Sequence, residues 1–375
     1  MRFSYWEASS FLNNIENLII GGGIVGISTA IELKKLYPER NIVVADRDPF
    51  SAGASTKNAG FACFGSASEL IDDLETMSEE EVFSLVKRRY TGLLNLQDLL
   101  GTESMDYLPC GGIELFRKGD EELFEHCLSR LDYLNDQLEK ILGFRPYSKL
   151  KTLPDFEGNT KFIGGIFNSH EGSINSGKMM RALIAKAQSV GVRFINGLNV
   201  LGISQKMNSV SVEWEGYTNE VERVFVCVNG FARTLMPELD VRPARNQVVV
   251  TSELSTPIPA GTFHVDKGYI YFRPIENRLL IGGFRNTDSQ NEETSEFGLT
   301  DTIQTNIKKF IDDYLLPQNS YSLEYKWSGI LGLGPTKTTI VKRHSENIFI
   351  GVRMGGMGVA IGTLVGKELA ELSTL

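Results

Sequence analysis

Leu18-Ile19-Ile20-Gly21-Gly22-Gly23-Ile24-Val25-Gly26 sets an apolar run directly against a glycine turn. Twenty positions on, Asp46 closes a second apolar run, Ile42-Val43-Val44-Ala45. Strand, tight glycine turn, helix, strand and closing acid make up the dinucleotide-binding βαβ unit. Gly21 permits the sharp turn, Gly23 lets the backbone approach a pyrophosphate, and Gly26 lets the helix Ile27–Leu36 pack on its strand. Ile24 and Val25 stand at the helix start, where unpaired N–H groups and the positive dipole end meet phosphates. Asp46 is placed to accept hydrogen bonds from a ribose diol. A glycine turn alone is weak evidence; the two strands, the helix and the spaced acid give it weight.

Working outward, 375 residues exceed one ordinary domain, so two domains sharing an interface are expected. A net charge of −9 argues against nucleic acid, which rewards basic stripes. Lys87-Arg88-Arg89 falls within a helical pattern and reads as a solvated face. Met1–Asn14 lacks the apolar core of a signal peptide, and Leu18–Leu33 is broken by glycines and Glu32, so no membrane span is expected. Cys63, Cys110, Cys127 and Cys227 show neither CxxC pairing nor metal-ligand spacing. With His126, His170, His264 and His344 scattered as well, no metal site is expected, and free thiols point to the cytoplasm.

Ser78 and Glu81 form a capping box ahead of Val82, Val86, Tyr90, Leu93 and Leu100. A second helix starts near Asp120, and both are expected to bury their apolar stripes against a sheet of another domain. A third helix, Lys178–Val190, ends at Gly191. Strands follow at Val192–Ile195, Val210–Trp214, Arg223–Val228 and Gln247–Thr251, with a hairpin over Tyr269–Gly283. A helix at Thr302–Leu315, a strand at Ile348–Ile350 and an apolar helix at Val359–Leu372 close the chain. Nucleotide-binding elements thus lie at both ends, which predicts a cofactor domain assembled from separate segments.

Two further glycine-rich places narrow the cofactor. The loop Gly53–Phe61 lets the chain pass close to a flat ligand, with Ser55, Thr56 and backbone N–H groups as donors; Lys57 reaches flavin or substrate, or is a solvated loop lysine. Gly355-Gly356-Met357-Gly358, before the last helix, lets helix N-terminal amides touch a ligand and favours negative charge. A reduced flavin develops such charge at its N1–C2=O edge, whereas a nicotinamide has no such need.

On these pieces the chain resembles the D-amino acid oxidase-like FAD-dependent oxidoreductases, which include glycine oxidase, sarcosine oxidase and D-amino acid dehydrogenase. The matching segments are Ile19–Gly26, Gly53–Gly60, Val200, Val226–Gly230, Ile281-Gly282-Gly283 and Asn347–Gly358, in the family's order. The resemblance implies an α/β fold: a Rossmann-like FAD-binding domain built from discontinuous segments, with an inserted substrate domain of antiparallel sheet plus helix. The expected division is 1–95, 150–235 and 327–375 for FAD, and 96–149 and 236–326 for substrate. It places the adenine end near Asp46, Arg47 and Val200. The flavin ring falls between Ser55-Thr56-Lys57-Asn58-Ala59-Gly60 and the turn Gly355–Gly358, with Asn229 and Gly230 from the matching Val226–Gly230 segment as further cofactor residues. Gly332-Leu333-Gly334-Pro335 lacks the cysteine of covalent flavoproteins, so non-covalent FAD is expected. Gly334 also stands where glycine oxidase has its carboxylate-binding arginine, and Leu279–Gly283 lacks sarcosine oxidase's lysine.

The chemistry implied is oxidation of a small amino acid or secondary amine, by hydride transfer from Cα–H to flavin N5 and hydrolysis of the imine. The acceptor is oxygen, a quinone or another carrier. The protein's main task is orientation, and a carboxylate calls for arginine. Tyr269, Tyr271 and Arg273 share a face by period two. Arg353 precedes the flavin-facing glycines, Arg285 is a weaker third, and His264 and His344 read as structural. The rivals are a flavin-dependent 2-hydroxy acid or polyol-phosphate dehydrogenase with a histidine base, a tRNA-modifying flavoenzyme (disfavoured by the acidic charge), and an inactive flavin-binding protein.

Overall fold

The computed structural model of the chain describes residues 3–318 and 320–375; the first two residues of the stretch Met1–Asn14 lie outside them. Strands Asn17–Ile20 and Ile42–Asp46 run parallel, with Asn17 opposite Ile42 and Ile20 opposite Ala45. The first is buried throughout, because alternate residues serve different cores. Ile19 and Val44 face helices, while Leu18, Ile20, Val43 and Ala45 face a small antiparallel sheet. A continuous apolar run is what such two-sided burial requires.

Six strands make this sheet, in the order Ile340–Arg343, Ile348–Val352, Arg223–Val226, Asn17–Ile20, Ile42–Asp46 and Arg193–Asn196. Neighbours are parallel except the first pair. Helices Ile24–Leu36, Ser176–Ser189 and Gly358–Leu372 contribute to the core on one face. The antiparallel strands Val200–Gln205, Val210–Trp214 and Tyr217–Val221 cover the other. Start, middle and end of the chain therefore meet in one sheet, as the discontinuous reading expects.

The second sheet has eight strands, in the order Leu323–Leu333, Arg242–Thr251, Arg278–Gly283, Ile270–Ile275, Thr262–Val265, Gly112–Arg117, Phe162–Asn168 and Tyr147–Lys149. It is antiparallel except that Thr262–Val265 and Gly112–Arg117 run parallel. Period two sorts its faces. Val249, Ile270, Phe272 and Ile281 pack with Ile303, Ile307 and Phe310 of helix Asp301–Phe310. Val248, Val250 and Tyr271 turn the other way, toward Ala59. One face is thus sealed by a helix and the other is left for a site.

Two strands cross the expected division. Phe162–Asn168, inside the segment 150–235 assigned to the cofactor side, hydrogen bonds in the large sheet. Leu323–Leu333 runs through position 327 as a strand of that same sheet. Phe-Ile-Gly-Gly-Ile-Phe-Asn has no polar alternation to mark which sheet it joins. The helices keep closer to expectation. Glu79–Leu100 opens on the Ser78/Glu81 capping box, Glu121–Leu142 follows Asp120, and Gly191 at φ +85° ends Ser176–Ser189. The first of these packs on the last helix rather than on a sheet: a Cβ at Gly92 would stand 2.1 Å from the Ala360 carbonyl oxygen.

Candidate active site

A cavity of about 700 Å³ is walled by both sheets, well within the roughly 300–1,000 Å³ of ligand sites. One end is lined by Gly21, Gly22, Gly23, Ile24, Val25, Asp46, Arg47 and Val200. The glycines of this turn leave little room for side chains. A Cβ at Gly26 would lie 2.0 Å from the Gly21 carbonyl oxygen, and one at Gly23 would lie 2.8 Å from Ser55 Oγ. Ser55 Oγ accepts the Ile24 N–H at 3.0 Å, which ties the cofactor loop to the helix start. The Asp46 carboxylate accepts N–H groups of Gly22 at 2.8 Å and Asp48 at 3.0 Å. Burial raises its pKa, and those two amides oppose the rise. Arg47 lies 4.0 Å over the Phe231 ring.

The loop after the second strand holds a helical turn, Ala54–Lys57. Ser55, Lys57, Asn58 and Ala59 line the cavity. Asn58 Oδ1 accepts the Gly60 N–H at 2.9 Å and the Ser176 hydroxyl at 2.6 Å, and Phe61-Ala62 pairs with Gly172-Ser173. Across the cavity, Gly355 and Gly356 take φ +60° and +84° and deliver Met357 and Gly358 at the start of the last helix. Asn229 Oδ1 holds this turn by accepting the N–H groups of Arg353 and Met354, each at 3.1 Å. Two helix N-termini thus open on one cavity with an acid at its end. That donor set fits a pyrophosphate-bridged dinucleotide whose ring gains negative charge on reduction.

The far wall carries Asn246, Val248, His264, Lys267, Gly268, Tyr269, Tyr271 and Arg285, with Phe61 and Cys63 beside it. Tyr271 lies across Gly282, where a Cβ would stand 2.7 Å from its ring. Its hydroxyl accepts the Asn246 amide at 2.9 Å, and burial pushes the phenol pKa up. Phe61 meets Tyr271 and His264 edge-on, at 5.6 and 5.2 Å.

Several expected residues stand elsewhere. Arg273 shares the Tyr271 face but is buried under the loop, where Nε donates to the Ala59 carbonyl at 2.7 Å and Nη2 to that of Ile174 at 2.9 Å. Arg353, at φ +69°, donates from Nε to the Thr338 carbonyl at 2.8 Å and from Nη1 to the Asp240 carbonyl at 3.1 Å. Neither guanidinium lines the cavity. Gly26, Thr56, Gly60 and Gly230 are likewise behind its wall: Thr56 donates to the Ser51 carbonyl at 2.6 Å. Gly60 and Gly230 make room for the Ile174 and Leu331 carbonyls, which would lie 2.3 and 2.4 Å from an added Cβ.

His264, read from the sequence as structural, borders the cavity. Its Nε2 lies 3.1 Å from Glu171 Oε2, and Asn168 donates its amide to Glu171 Oε1 at 3.2 Å. Burial is the largest single influence and lowers the imidazole pKa, but Glu171, joined by Glu114 and Glu69, makes the net shift upward. Cys63 joins the pair, with ligand atoms of all three within 4.8 Å of one another. The signal was present in the turn Asp266-Lys267-Gly268, which folds Thr262–Val265 back on Ile270–Ile275 and sets His264 opposite Tyr271.

Comparison with known proteins agrees with this geometry. Residues 17–372 match the DAO family model, described as FAD dependent oxidoreductase. The chain is 23% identical over 370 residues to the bifunctional protein ThiO/ThiG of Trichormus variabilis, covering 94% of this chain and 52% of that one. It thus spans about half the length of that relative. It is also 23% identical to D-amino acid dehydrogenase of Helicobacter pylori, over 96% of this chain and 94% of that protein. The crystal structure of L-proline dehydrogenase from P. horikoshii superposes with a TM-score of 0.75 at 17% identity, covering 96% and 93% of the two chains. With the glycine cradle, the paired helix starts and a family match across nearly its whole length, the chain belongs to the FAD-dependent oxidoreductases of the D-amino acid oxidase type.

Proposed function

We propose that this protein oxidises a small amino acid or secondary amine. The carrying observation is the far wall of the cavity, where Tyr269, Tyr271, Asn246 and His264 adjoin the space between the Ser55–Ala59 loop and the Gly355–Gly358 turn. When bound, FAD supplies a hydride acceptor at N5. The chain supplies enclosure and orientation. Tyr271, fixed over Gly282 by Asn246, and the edge-on Phe61 make an aromatic wall for a small substrate. An amine that binds neutral needs no strong base. The D-amino acid dehydrogenase and L-proline dehydrogenase among its relatives carry amino acid substrates in their names, which supports the reading. Non-covalent FAD is part of it, because 332–335 offers no thiol.

A second reading has one observation in its favour. His264 borders the cavity with Glu171 behind it, the arrangement that a 2-hydroxy acid dehydrogenase needs to remove a hydroxyl proton. It ranks second because the neighbouring carboxylates, Glu171 first among them, shift the imidazole pKa upward against burial, which favours the protonated ring over the neutral one that a base must offer.

The test is an anaerobic absorbance screen of the FAD-loaded protein against amino acids, N-methyl amino acids and 2-hydroxy acids. Bleaching by an amine is the expected result. Bleaching by hydroxy acids alone would promote the second reading, and a flavin that no substrate bleaches would overturn the first.

A further inference from the structure

If the substrate carries a carboxylate, something in the cavity must hold it, and both arginines favoured from the sequence are committed to backbone carbonyls. Resting on the amine-oxidation reading, we infer that Arg285 is the carboxylate anchor and sets the specificity of this site for amino acids over simple amines.

Elimination among the arginines and lysines that line the cavity leads there, since His264 is already paired with Glu171 at 3.1 Å. Arg47 lies over Phe231 at the Asp46 end. Arg242 pairs with Glu293 at 3.6 Å and Lys267 with Asp72 at 2.5 Å. Lys337 bridges Glu69 at 2.9 Å and Asp73 at 2.7 Å. Lys57 rests over the Phe297 ring at 5.1 Å, on the turn that also carries Ser55. Arg285 makes neither ion pair nor hydrogen bond with any described residue; its guanidinium lies 5.9 Å from the Tyr269 ring and acts electrostatically on the Tyr271 phenol. A half-buried fork of five donors, bordering a cavity and unspent on protein acceptors, is a carboxylate receptor waiting for its ligand.

The backbone is bent to put it there. Gly283 takes φ +114° and the buried Phe284 takes φ +62°, a conformation that costs a residue with a β-carbon. The Phe284 N–H donates to the Tyr269 carbonyl at 2.9 Å, and a Cβ at Gly283 would strike that same oxygen at 1.9 Å. The strand Arg278–Gly283 is thereby turned out of the sheet and Arg285 is set beside Tyr269. The alternative position is closed. At Gly334 even a Cβ would stand 2.5 Å from Arg353 Cδ, so no arginine fits there without moving Arg353.

The experiment uses FAD-loaded wild type, Arg285→Met, Arg285→Lys and, as the competing cation, Lys57→Met. Acetate and benzoate are titrated against the flavin spectrum, and anaerobic flavin reduction is compared for an amino acid and its decarboxylated amine. Arg285→Met should weaken carboxylate binding on the order of 10- to 100-fold with FAD retained, Arg285→Lys should recover part of it, and the preference for the amino acid over the amine should collapse. Carboxylate binding that is absent from the wild type, unchanged in Arg285→Met, or lost in Lys57→Met instead would overturn the assignment. Because the titration requires no turnover, it judges Arg285 even if no amine reduces the wild-type flavin, an outcome that would sink the reading beneath it.

Discussion

Arg273 shows how a single residue's role turns on what reaches it from afar. Its two bonds run to carbonyls 214 and 99 positions away, and they fasten the cofactor loop to the large sheet. Removing the guanidinium leaves two buried acceptors unsatisfied, at roughly 1–3 kcal/mol each. Arg273→Met should therefore lower the thermal midpoint and loosen FAD together, whereas a substrate ligand would change KM at unchanged stability. His264 makes a pH prediction. Its folded pKa is raised above the ordinary 6.5, so the folded state binds the proton more tightly than the unfolded one. The stabilisation is full below 6.5 and is lost as pH rises through the raised value. Thermal unfolding followed from mildly acidic to alkaline pH should show this decline in wild type and a flatter course in His264→Asn. The same downward course in both proteins would remove His264 as its source.

At the scale of elements, the final helix and Glu79–Leu100 set two physical effects against each other. Glycine inside a helix costs about 1 kcal/mol relative to alanine, so propensity alone says that Gly92→Ala stabilises. Packing says the reverse: the new Cβ would meet the Ala360 carbonyl at 2.1 Å, and overpacking of this kind costs about 1–3 kcal/mol. Thr363 Oγ1 also donates to the Gly92 carbonyl at 2.7 Å, so separating the helices strains that bond too. Destabilisation should win, with weaker FAD binding because the last helix begins at the cavity; a higher melting temperature for Gly92→Ala would reject this. The βαβ unit was legible because its logic is local: turn, helix start and acid lie within one short span. So were the capping box at Ser78 and the stop at Gly191. Phe162–Asn168 was illegible because its sheet is decided by partners at Gly112–Arg117 and Tyr147–Lys149. His264 and Glu171 stand 93 positions apart, and no spacing rule joins them. Arg285 and Arg273 look alike in sequence; only the carbonyls of Ala59 and Ile174 distinguish them.

For the molecule as a whole, the cavity couples stability to acid. Helix Ala67–Thr76 supplies Glu69 and Asp73, helix Glu79–Leu100 supplies Arg89, and the loop after Leu323–Leu333 supplies Lys337. Glu69 bonds Lys337 at 2.9 Å and the fully buried Arg89 at 3.2 Å. Burial would raise the Glu69 carboxyl, but Lys337 and Arg89 together bring it down to about 2, from 4.5. A depressed carboxylate contributes stability that is present above its unfolded value and lost as pH falls through its folded one. The wild type should accordingly lose stability between pH 4.5 and about 2 from this group, by an amount on the order of a few kcal/mol. Asp73 works in the opposite sense: burial raises its pKa against the pull of Lys337, so it cannot supply this acid-side loss. Glu69→Gln should start less stable at neutral pH, because Arg89 keeps its buried charge without a carboxylate. It should then show a shallower decline over the same acid window. Denaturant unfolding at closely spaced pH values measures both, and an equally steep decline in the variant would mean that the acid sensitivity belongs to other carboxylates.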